Sequence, residues 1–242
     1  MWGFTAQLYS VRSAASWGLG DLRDLADLAD WSGRELGAGF VLVNPLHATE
    51  PVAPVGASPY SPMSRRFPSP LYLRIEDMPE YADLPAADRE RFAALAAGLR
   101  AREGLLDRDA VWAAKLEALE AMYGRRRDRD PRFEEFRRRE GAALASFATW
   151  CAISEEQGTT DWRRWPSGLR GAHDHGVVDA PRYHARAAFT SGSSGGWTGS
   201  SRRRSARPGT RGCPSGSSTT WRSGCRTAAP TPGCTAPPAR PG

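Results

Sequence analysis

The sequence predicts an α/β fold built on a parallel sheet or barrel, with a helical insertion and a disordered C-terminal tail. Three observations support this prediction. A strand, a loop, a helix and a second strand follow one another within residues 1–46, helical patterns fill most of residues 86–166, and the composition changes abruptly at Thr190. Because two parallel strands need a crossover between them, the first pattern indicates a βαβ unit.

The βαβ unit can be followed along the first 46 residues. Met1–Val11 spaces β-forming residues with turn residues and is predicted as the first strand. The glycine-rich loop Ser16–Gly20 leads into a predicted helix over Asp21–Leu36, where Asp21 is suited to capping the helix N-terminus. Phe40–Leu46 is continuously apolar, which predicts a second strand that is buried on both faces.

A long, polar and proline-rich loop, His47–Pro70, follows the second strand. Ligands of α/β folds bind at the carboxyl ends of the strands, so this loop is where a site is expected. Tyr60 could stack there on the apolar face of a sugar ring, or be a turn tyrosine without a ligand, and the residues alone leave both interpretations open. Arg65 and Arg66 are expected to form ion pairs within the protein rather than to bind an anion.

The elements after the loop are mainly helical. Leu71–Glu76 is predicted as a short strand or extended segment. Apolar residues at helical spacing then predict three helices, over Ala86–Arg102, Asp109–Tyr123 and Pro131–Gln157, and Trp162–Pro166 closes this part of the chain. We interpret residues 86–166 as a helical subdomain inserted into the α/β body.

Several classes of protein are disfavoured by what the sequence lacks. It has no apolar run of the roughly 20 residues that span a membrane, no leader-like N-terminus, no CxxC pair among its four cysteines and no phosphate-binding glycine motif. His173, Asp174, His175 and His184 do not follow a strong metal-ligand spacing, so no metal is expected. A cytoplasmic protein is the resulting expectation.

The tail, residues 190–242, contains only Gly, Ala, Ser, Thr, Pro, Arg, Trp and Cys. Its eight arginines and no acidic residue give it a charge of +8, whereas residues 1–189 carry 25 basic and 27 acidic residues, a net charge of −2. A segment with so few large apolar residues cannot bury enough surface to offset its ordering entropy, so disorder is predicted.

Two hypotheses account for the tail. It could be a basic arm, Arg202–Arg211, that neutralises phosphates of a nucleic acid. The hypothesis we favour is a frameshift, because the tail's residue types are those that a G+C-rich gene yields when it is read out of frame. With G+C-rich codons, Ser217–Cys225 read one base earlier becomes VVHDLAVGV, a strand-like string.

Six segments, in collinear order, resemble the 4-α-glucanotransferases, or amylomaltases, of high-G+C bacteria. The resemblance covers residues 2–189. The segments are SWGLGDL (Ser16–Leu22), FVLVNPLHA (Phe40–Ala48), SPYSPMSRRF (Ser58–Phe67), PLYLRIE (Pro70–Glu76), DRDAVWAAK (Asp107–Lys115) and FATWCAISEEQG (Phe147–Gly158).

The resemblance implies both a fold and an activity. It implies that residues 1–189 are the N-terminal part of a (β/α)8 TIM barrel with a helical insertion at about 86–166. Members of the family transfer α-1,4-glucan segments between maltodextrins by a retaining double displacement, without a metal or organic cofactor. An Asp attacks the anomeric carbon, and a Glu first protonates the leaving oxygen and later deprotonates the acceptor hydroxyl.

The resemblance also implies roles for single residues. The SPY sequence matches the family's donor-subsite loop, so Tyr60 is expected to stack on glucose and Ser58 to shape the pocket. The family's catalytic carboxylates lie beyond the matched region, so no catalytic residue is expected in this chain. Ser69 stands where relatives usually carry Asn, which changes one loop contact.

From these features we expect a truncated chain that is inactive alone and takes maltodextrin as its ligand. The frameshift hypothesis agrees with the resemblance, since a DLAVGV-like strand is typical of relatives. Relatives of this subgroup also often carry an N-terminal extension, so Met1 could be an internal start. The alternatives are a maltodextrin-binding remnant that uses the Tyr60 loop and a module that binds nucleic acid through its basic tail. The sequence leaves the oligomeric state open.

Overall fold

The structure, a computed structural model, describes residues 1–125, 131–170 and 183–190. These residues lie in the first of two units, Met1–Arg207; the second, Pro208–Gly242, falls outside them. The predicted tail, its Arg202–Arg211 arm and the His173–His175 segment therefore lie outside the described residues, apart from Thr190.

The predicted βαβ unit is present. Strand β1 (Gly3–Ala6) pairs in parallel with β2 (Phe40–Val43), in a register that places Gly3 beside Phe40 and Ala6 beside Val43. Helix α1 (Leu22–Leu36) lies between the two strands in sequence. The first strand is shorter than the predicted Met1–Val11, because the chain turns into a 3-10 helix at Leu8–Ser10 and buries Leu8 in the core.

Helix α1 begins where the sequence predicted. The Asp21 carboxylate accepts hydrogen bonds from the backbone N–H groups of Arg23 and Asp24, and the Asp24 carboxylate accepts one from Asp21 N–H, which together form a capping box. Gly37 ends the helix in the left-handed region, at φ 68°.

Gly20 allows the turn that precedes α1 to pass close to the 3-10 helix. A Cβ atom at this position would lie 2.0 Å from the Leu8 carbonyl oxygen and 2.2 Å from that of Val11. Only glycine fits such a close approach of two backbone segments.

Burial on both faces of the second strand was predicted wrongly. Val41 and Val43 pack against the main core, but Phe40 is 48 % exposed and Leu42 is 58 % exposed on the opposite face. In the described part of the chain only one face of the β1–β2 pair is covered.

The loop after β2 contains a small hairpin that was not predicted. Strand β3 (His47–Ala48) pairs antiparallel with β4 (Ser64–Pro68), with an irregular register between His47 and Ala48. The segment Leu71–Glu76, predicted as a short strand or extended segment, instead contains 3-10 turns at Pro70–Tyr72 and Ile75–Asp77. Pro70 at the first helical position and Ser69, whose side chain accepts from Leu71 N–H, favour the first of these turns.

The helical prediction is confirmed. Helices α2 (Ala86–Ala101) and α3 (Arg108–Tyr123) agree with it to within one residue at each end, and α4 (Pro131–Gln157) has the predicted bounds. Gly141 interrupts α4 with non-helical dihedrals, φ 55° and ψ −138°, so α4 is two helices joined by a kink. A further helix, α5, spans residues 183–190.

The main core joins the βαβ unit to α2 and α3. It is a single cluster of buried side chains that includes Leu8, Trp17, Leu19, Leu25, Leu73, Ile75, Phe92, Leu119 and Met122. A smaller cluster of Ala48, Phe67, Phe136 and Leu144 packs the hairpin against α4, and there the rings of Phe67 and Phe147 stack with their centroids 4.9 Å apart. The loop after β2 is therefore supported from several sides.

A buried charge cluster holds the 3-10 segment against α1 and α3. Arg74 bonds through Nε to Asp21 and through Nη2 to Asp24 at 2.8 Å. Lys115 is fully buried, and its Nζ donates to the carbonyl oxygens of Leu71 at 2.6 Å and Leu73 at 2.8 Å. Burial lowers the pKa of Lys115 to about 8, although Asp21 acts in the opposite direction.

Burial, followed by the charge of Asp21, raises the pKa of Asp24 in the same cluster. At Arg74 burial opposes the charged form, but the bond to Asp21 outweighs this effect and raises the pKa of the guanidinium. No helix among the described residues combines the length and the hydropathy needed to cross a membrane.

Candidate functional site

Two carboxamide side chains stand at the carboxyl edge of the β1–β2 pair. Gln7 directly follows β1 and Asn44 directly follows β2, and the register that pairs Ala6 with Val43 places them at the same edge. The loop with the β3–β4 hairpin begins three residues after Asn44. This is the edge at which ligands bind in open α/β sheets and in barrels.

Asn44 is fully engaged within the protein. Its Oδ1 accepts from Leu8 N–H at 2.7 Å, and its Nδ2 donates to the Pro45 carbonyl oxygen at 2.9 Å and to the Tyr72 hydroxyl at 3.2 Å. Burial raises the pKa of Tyr72, and the bond from Asn44 offsets part of that rise. Asn44 is buried, and its bond to Leu8 links the end of β2 to the start of the 3-10 helix.

Tyr60 is exposed beside Gln7. Its side chain is 60 % exposed, and its hydroxyl oxygen accepts a long hydrogen bond, 3.4 Å, from Gln7 Nε2. Ser58 belongs to the same turn, and its hydroxyl oxygen accepts from Tyr60 N–H at 3.3 Å. The structure thus places both predicted site residues in one turn at the carboxyl edge, with Tyr60 exposed.

Helix α3 anchors the loop that carries Tyr60. Asp109 accepts from Val55 N–H at 2.6 Å, and the Trp112 indole donates to the Pro51 carbonyl oxygen at 3.0 Å. Within the loop, Glu50 accepts from Gly56 N–H at 2.9 Å. Ser69, the departure from the family pattern, lies at the far end of the loop, with its hydroxyl 3.3 Å from that of Thr49. These bonds fix the loop on both sides of its tip.

The basic residues of the hairpin were expected to pair, and for Arg66 this is confirmed. Its Nε donates to Glu140 at 3.0 Å. Burial alone would raise the pKa of Glu140, but the hydrogen bonds from Arg139 and Arg66 outweigh burial and lower it. Burial and then the charge of Arg65 lower the pKa of His47 at the start of the hairpin, which favours a neutral imidazole.

The groups around Tyr60 are suited to contact with a neutral polar ring. The carboxylates closest to the loop in the bonding pattern, Glu50, Asp109 and Glu140, are occupied by backbone or arginine donors. Tyr60 offers an apolar face and a hydroxyl, the combination with which proteins contact sugars. Among residues 1–125, 131–170 and 183–190 no group of three or more His, Cys, Asp or Glu side chains could hold a metal ion. His184 lies on α5, and His173, Asp174 and His175 fall outside those ranges.

Sequence reasoning missed Gln7. Gln7 was included in the predicted strand Met1–Val11, so it was treated as an interior strand residue and not as the residue that follows the strand. A glutamine immediately before a 3-10 helix that starts at Leu8 is instead at the strand's end. The signal that could have found it is the pair of carboxamides, Gln7 and Asn44, one after each strand of the βαβ unit.

The fold and the site define an α/β protein with a long, anchored loop and an exposed tyrosine at the carboxyl ends of parallel strands. A family model described as 4-alpha-glucanotransferase matches residues 6–190. The chain therefore belongs to the 4-alpha-glucanotransferase family.

Similar proteins agree with this assignment. The 4-alpha-glucanotransferase of Mycobacterium tuberculosis is 49 % identical over 195 residues, which cover 77 % of this chain and 27 % of the relative. The 4-alpha-glucanotransferase of Haemophilus influenzae is 42 % identical over 127 residues, 51 % of this chain and 18 % of the relative. The crystal structure of amylomaltase from Corynebacterium glutamicum matches with a TM-score of 0.71 and 36 % identity, covering 84 % of this chain and 27 % of that one.

The chain thus spans about a quarter of the length of these relatives, 27 % of the first. The family match ends at residue 190, where the composition changes.

Proposed function

We propose that this chain forms part of a 4-alpha-glucanotransferase that transfers α-1,4-glucan segments between maltodextrins by a retaining double displacement. The observation that carries the proposal is the family match over residues 6–190, which begins at the last residue of β1 and includes α1, β2 and the loop at the carboxyl edge. In this proposal β1, α1 and β2 are the first βαβ unit of a (β/α)8 barrel, and α2 to α4 belong to its helical insertion.

The contribution of this chain is the loop after β2, His47–Pro70, which would line the donor side of the site and is called the donor-side loop below. Tyr60 stacks on a glucose ring, and Ser58 holds the turn by accepting from Tyr60 N–H. The 60 % exposure of Tyr60 supports this role, because a tyrosine that only filled a turn would gain more from burial. The anchors from Asp109 and Trp112 keep the loop in one conformation, which reduces the entropy cost of binding.

The catalytic carboxylates come from the part of the family barrel that this chain does not match. A retaining mechanism needs a nucleophile and an acid/base about 5–5.5 Å apart on either side of the scissile bond. The carboxylates around the loop are already committed to structural hydrogen bonds, which supports the assignment of binding without catalysis. The same mechanism uses protons and a covalent glycosyl-enzyme and calls for no metal or organic cofactor.

Incubation of the purified 242-residue chain with maltotriose tests the division of labour. We expect no glucose and no longer maltodextrins, because the chain contributes substrate binding only. Disproportionation at a rate above that of a buffer control would place the catalytic pair within this chain. Protein that has been passed through gel filtration immediately before the assay excludes a trivial loss through aggregation.

We propose that residues 190–242 result from a frameshift and take no part in the glucan site. The end of the family match at residue 190 supports this proposal. Resequencing the gene across the codons for Ala188–Ser191 is the test, and we expect a missing base whose restoration continues the family sequence. An intact frame would favour the basic-arm hypothesis. In that case DNA binding should fall steeply with salt and disappear when residues 190–242 are deleted.

A further inference from the structure

Gln7 and Asn44 occupy equivalent places at the ends of neighbouring strands but differ in their hydrogen bonding. Asn44 uses both of its polar atoms on protein partners. Gln7 Oε1 is buried and has no hydrogen-bond partner among the residues that the structure describes, and Gln7 Nε2 reaches only the Tyr60 hydroxyl. A buried carbonyl oxygen without a partner costs free energy, which an apolar side chain at this position would avoid.

The bond between Gln7 and Tyr60 has a defined polarity. A carboxamide nitrogen can only donate, so the Tyr60 oxygen must accept. The hydroxyl hydrogen is then free to donate elsewhere, and no acceptor for it lies within the described ranges. Because the ring is largely exposed, that hydrogen is available to a ligand on the open side of the loop.

We propose that Gln7 is a positioning residue for Tyr60, which it holds so that the tyrosine hydroxyl donates to a hydroxyl oxygen of the stacked sugar. The inference rests on the proposed function, since it needs Tyr60 to contact glucan. It adds a residue from the end of the first strand and a direction of hydrogen bonding to that site. The ligand class that fits is a neutral polyol ring with an acceptor oxygen at its edge, as in a maltodextrin.

The test is a titration of the full 242-residue chain with maltoheptaose, followed by ligand-observed NMR or calorimetry. Replacing Gln7 with leucine removes the donor, so we expect the Kd to rise about threefold to tenfold. Gln157 provides the matched control, because it is also a carboxamide but lies at the end of α4. Gln157→Leu should leave the Kd unchanged.

The Gln7→Glu variant separates positioning from simple filling of space. A carboxylate can only accept, so it would draw the Tyr60 hydroxyl hydrogen towards itself and away from the sugar. We expect Gln7→Glu to weaken binding as much as Gln7→Leu does, although it keeps the shape of the side chain and a bond to Tyr60. A role that was only structural would be preserved in this variant.

Tyr60→Phe removes the same hydrogen bond from its exposed partner, where a folding defect is not expected. We expect the same rise in Kd as for Gln7→Leu, and no further rise when the two changes are combined. Tyr60→Ala should abolish binding. Additive effects of Gln7→Leu and Tyr60→Phe would show that the two residues act separately and would overturn the inference.

The remaining outcomes distinguish this inference from the function on which it rests. Unchanged binding by both Gln7 variants, together with loss of binding in Tyr60→Ala, would overturn the role of Gln7 and leave the proposed loop intact. Unchanged binding by Tyr60→Ala, or no binding by the unmodified chain, would overturn the proposed role of the loop and the inference with it. Equal thermal unfolding curves for all variants show that the changes in Kd are not changes in folding.

Discussion

The buried charge cluster around Arg74 and Lys115 and the turn that carries Ser58 and Tyr60 both contact the first βαβ unit. They differ in how their polar groups are hydrogen-bonded. In the cluster, Arg74 pairs with two carboxylates, and Lys115 donates to two carbonyl oxygens, all in the interior. At the turn, Tyr60 is exposed and Gln7 keeps an unpaired oxygen within the described part of the chain. Polar groups in the interior are therefore paired with one another, whereas those at the turn keep unused hydrogen-bonding capacity, which is where we propose that a ligand binds.

The largest effect on stability is expected for Arg74→Met. This change leaves the Asp21 and Asp24 carboxylates buried beside each other without their cation, which typically costs about 3–5 kcal/mol. The free energy of unfolding from urea titration measures it. The exposed pair of Arg91 and Glu117 supplies the control, and Arg91→Met should cost less than about 1 kcal/mol. Equal losses in the two variants would remove the distinction between the cluster and the surface.

The pH dependence of stability tests Lys115 directly. Its pKa in the folded protein is about 8 and its ordinary value is 10.5, so between these values the unfolded chain binds a proton that the folded chain does not. The contribution of Lys115 to stability therefore rises with pH in this window, by about 1.5 kcal/mol from pH 8 to pH 9.5. Urea midpoints at pH 7.5, 8.5 and 9.5 measure the rise.

Lys115→Met is the control for this pH dependence. The variant should be less stable at every pH, because the Leu71 and Leu73 carbonyl oxygens lose their donor, and its stability should not rise over the same range. Two groups have the opposite effect, because burial raises their pKa values and the unfolded chain releases their protons first: Cys151 within the measured range and Tyr72 above pH 10. Comparison of the parent chain with Lys115→Met cancels both contributions. A rise that persists in Lys115→Met would assign it to another group.

A smaller effect on stability is expected at Ser58. Ser58→Ala removes the acceptor for Tyr60 N–H in an exposed turn, and we expect a loss of less than about 1 kcal/mol, because water can replace the hydroxyl. The same variant should weaken maltoheptaose binding about twofold to fivefold by loosening the turn. Ser61→Ala, in the same loop, is the matched control. A large loss of stability in Ser58→Ala would show that this turn stabilises the fold as the buried charge cluster does.

Tyr60→Ala should have the smallest effect on stability, within about 0.5 kcal/mol, as is usual for exposed side chains. We expect Tyr60→Ala to lose glucan binding without losing stability. The surface variant Arg91→Met should keep glucan binding and lose little stability. Thermal unfolding and titration with maltoheptaose on the same sample make the two measurements. Destabilisation of Tyr60→Ala by more than 2 kcal/mol would contradict the separation of the two regions.

Local patterns account for what the sequence predicted well. The helices over Ala86–Ala101 and Arg108–Tyr123 and the capping of α1 by Asp21 follow from spacing and from residues near in sequence. Tyr60 and Ser58 were found through the SPY motif, and the structure places them together. Their roles remain proposals.

The features that sequence reasoning missed depend on pairs that are distant in sequence. Arg74 bonds to Asp21 across 53 positions, and Gln7 bonds to Tyr60 across the same separation, so no local pattern indicates either. The exposure of Phe40 and Leu42 was missed for another reason. Their apolar character is that of a strand covered on both faces, and burial depends on the elements packed against it.

A chimera in which residues 1–190 replace the matching part of the Mycobacterium tuberculosis relative tests most directly whether these residues can serve as part of a working transferase. If these residues form the first part of a 4-alpha-glucanotransferase and carry its donor-side loop, the chimera should convert maltotriose to glucose and longer maltodextrins. Tyr60→Ala in the chimera should lower kcat/KM at least tenfold, about 1.4 kcal/mol. A folded, monodisperse chimera without transfer activity, or full activity in Tyr60→Ala, would contradict the claim.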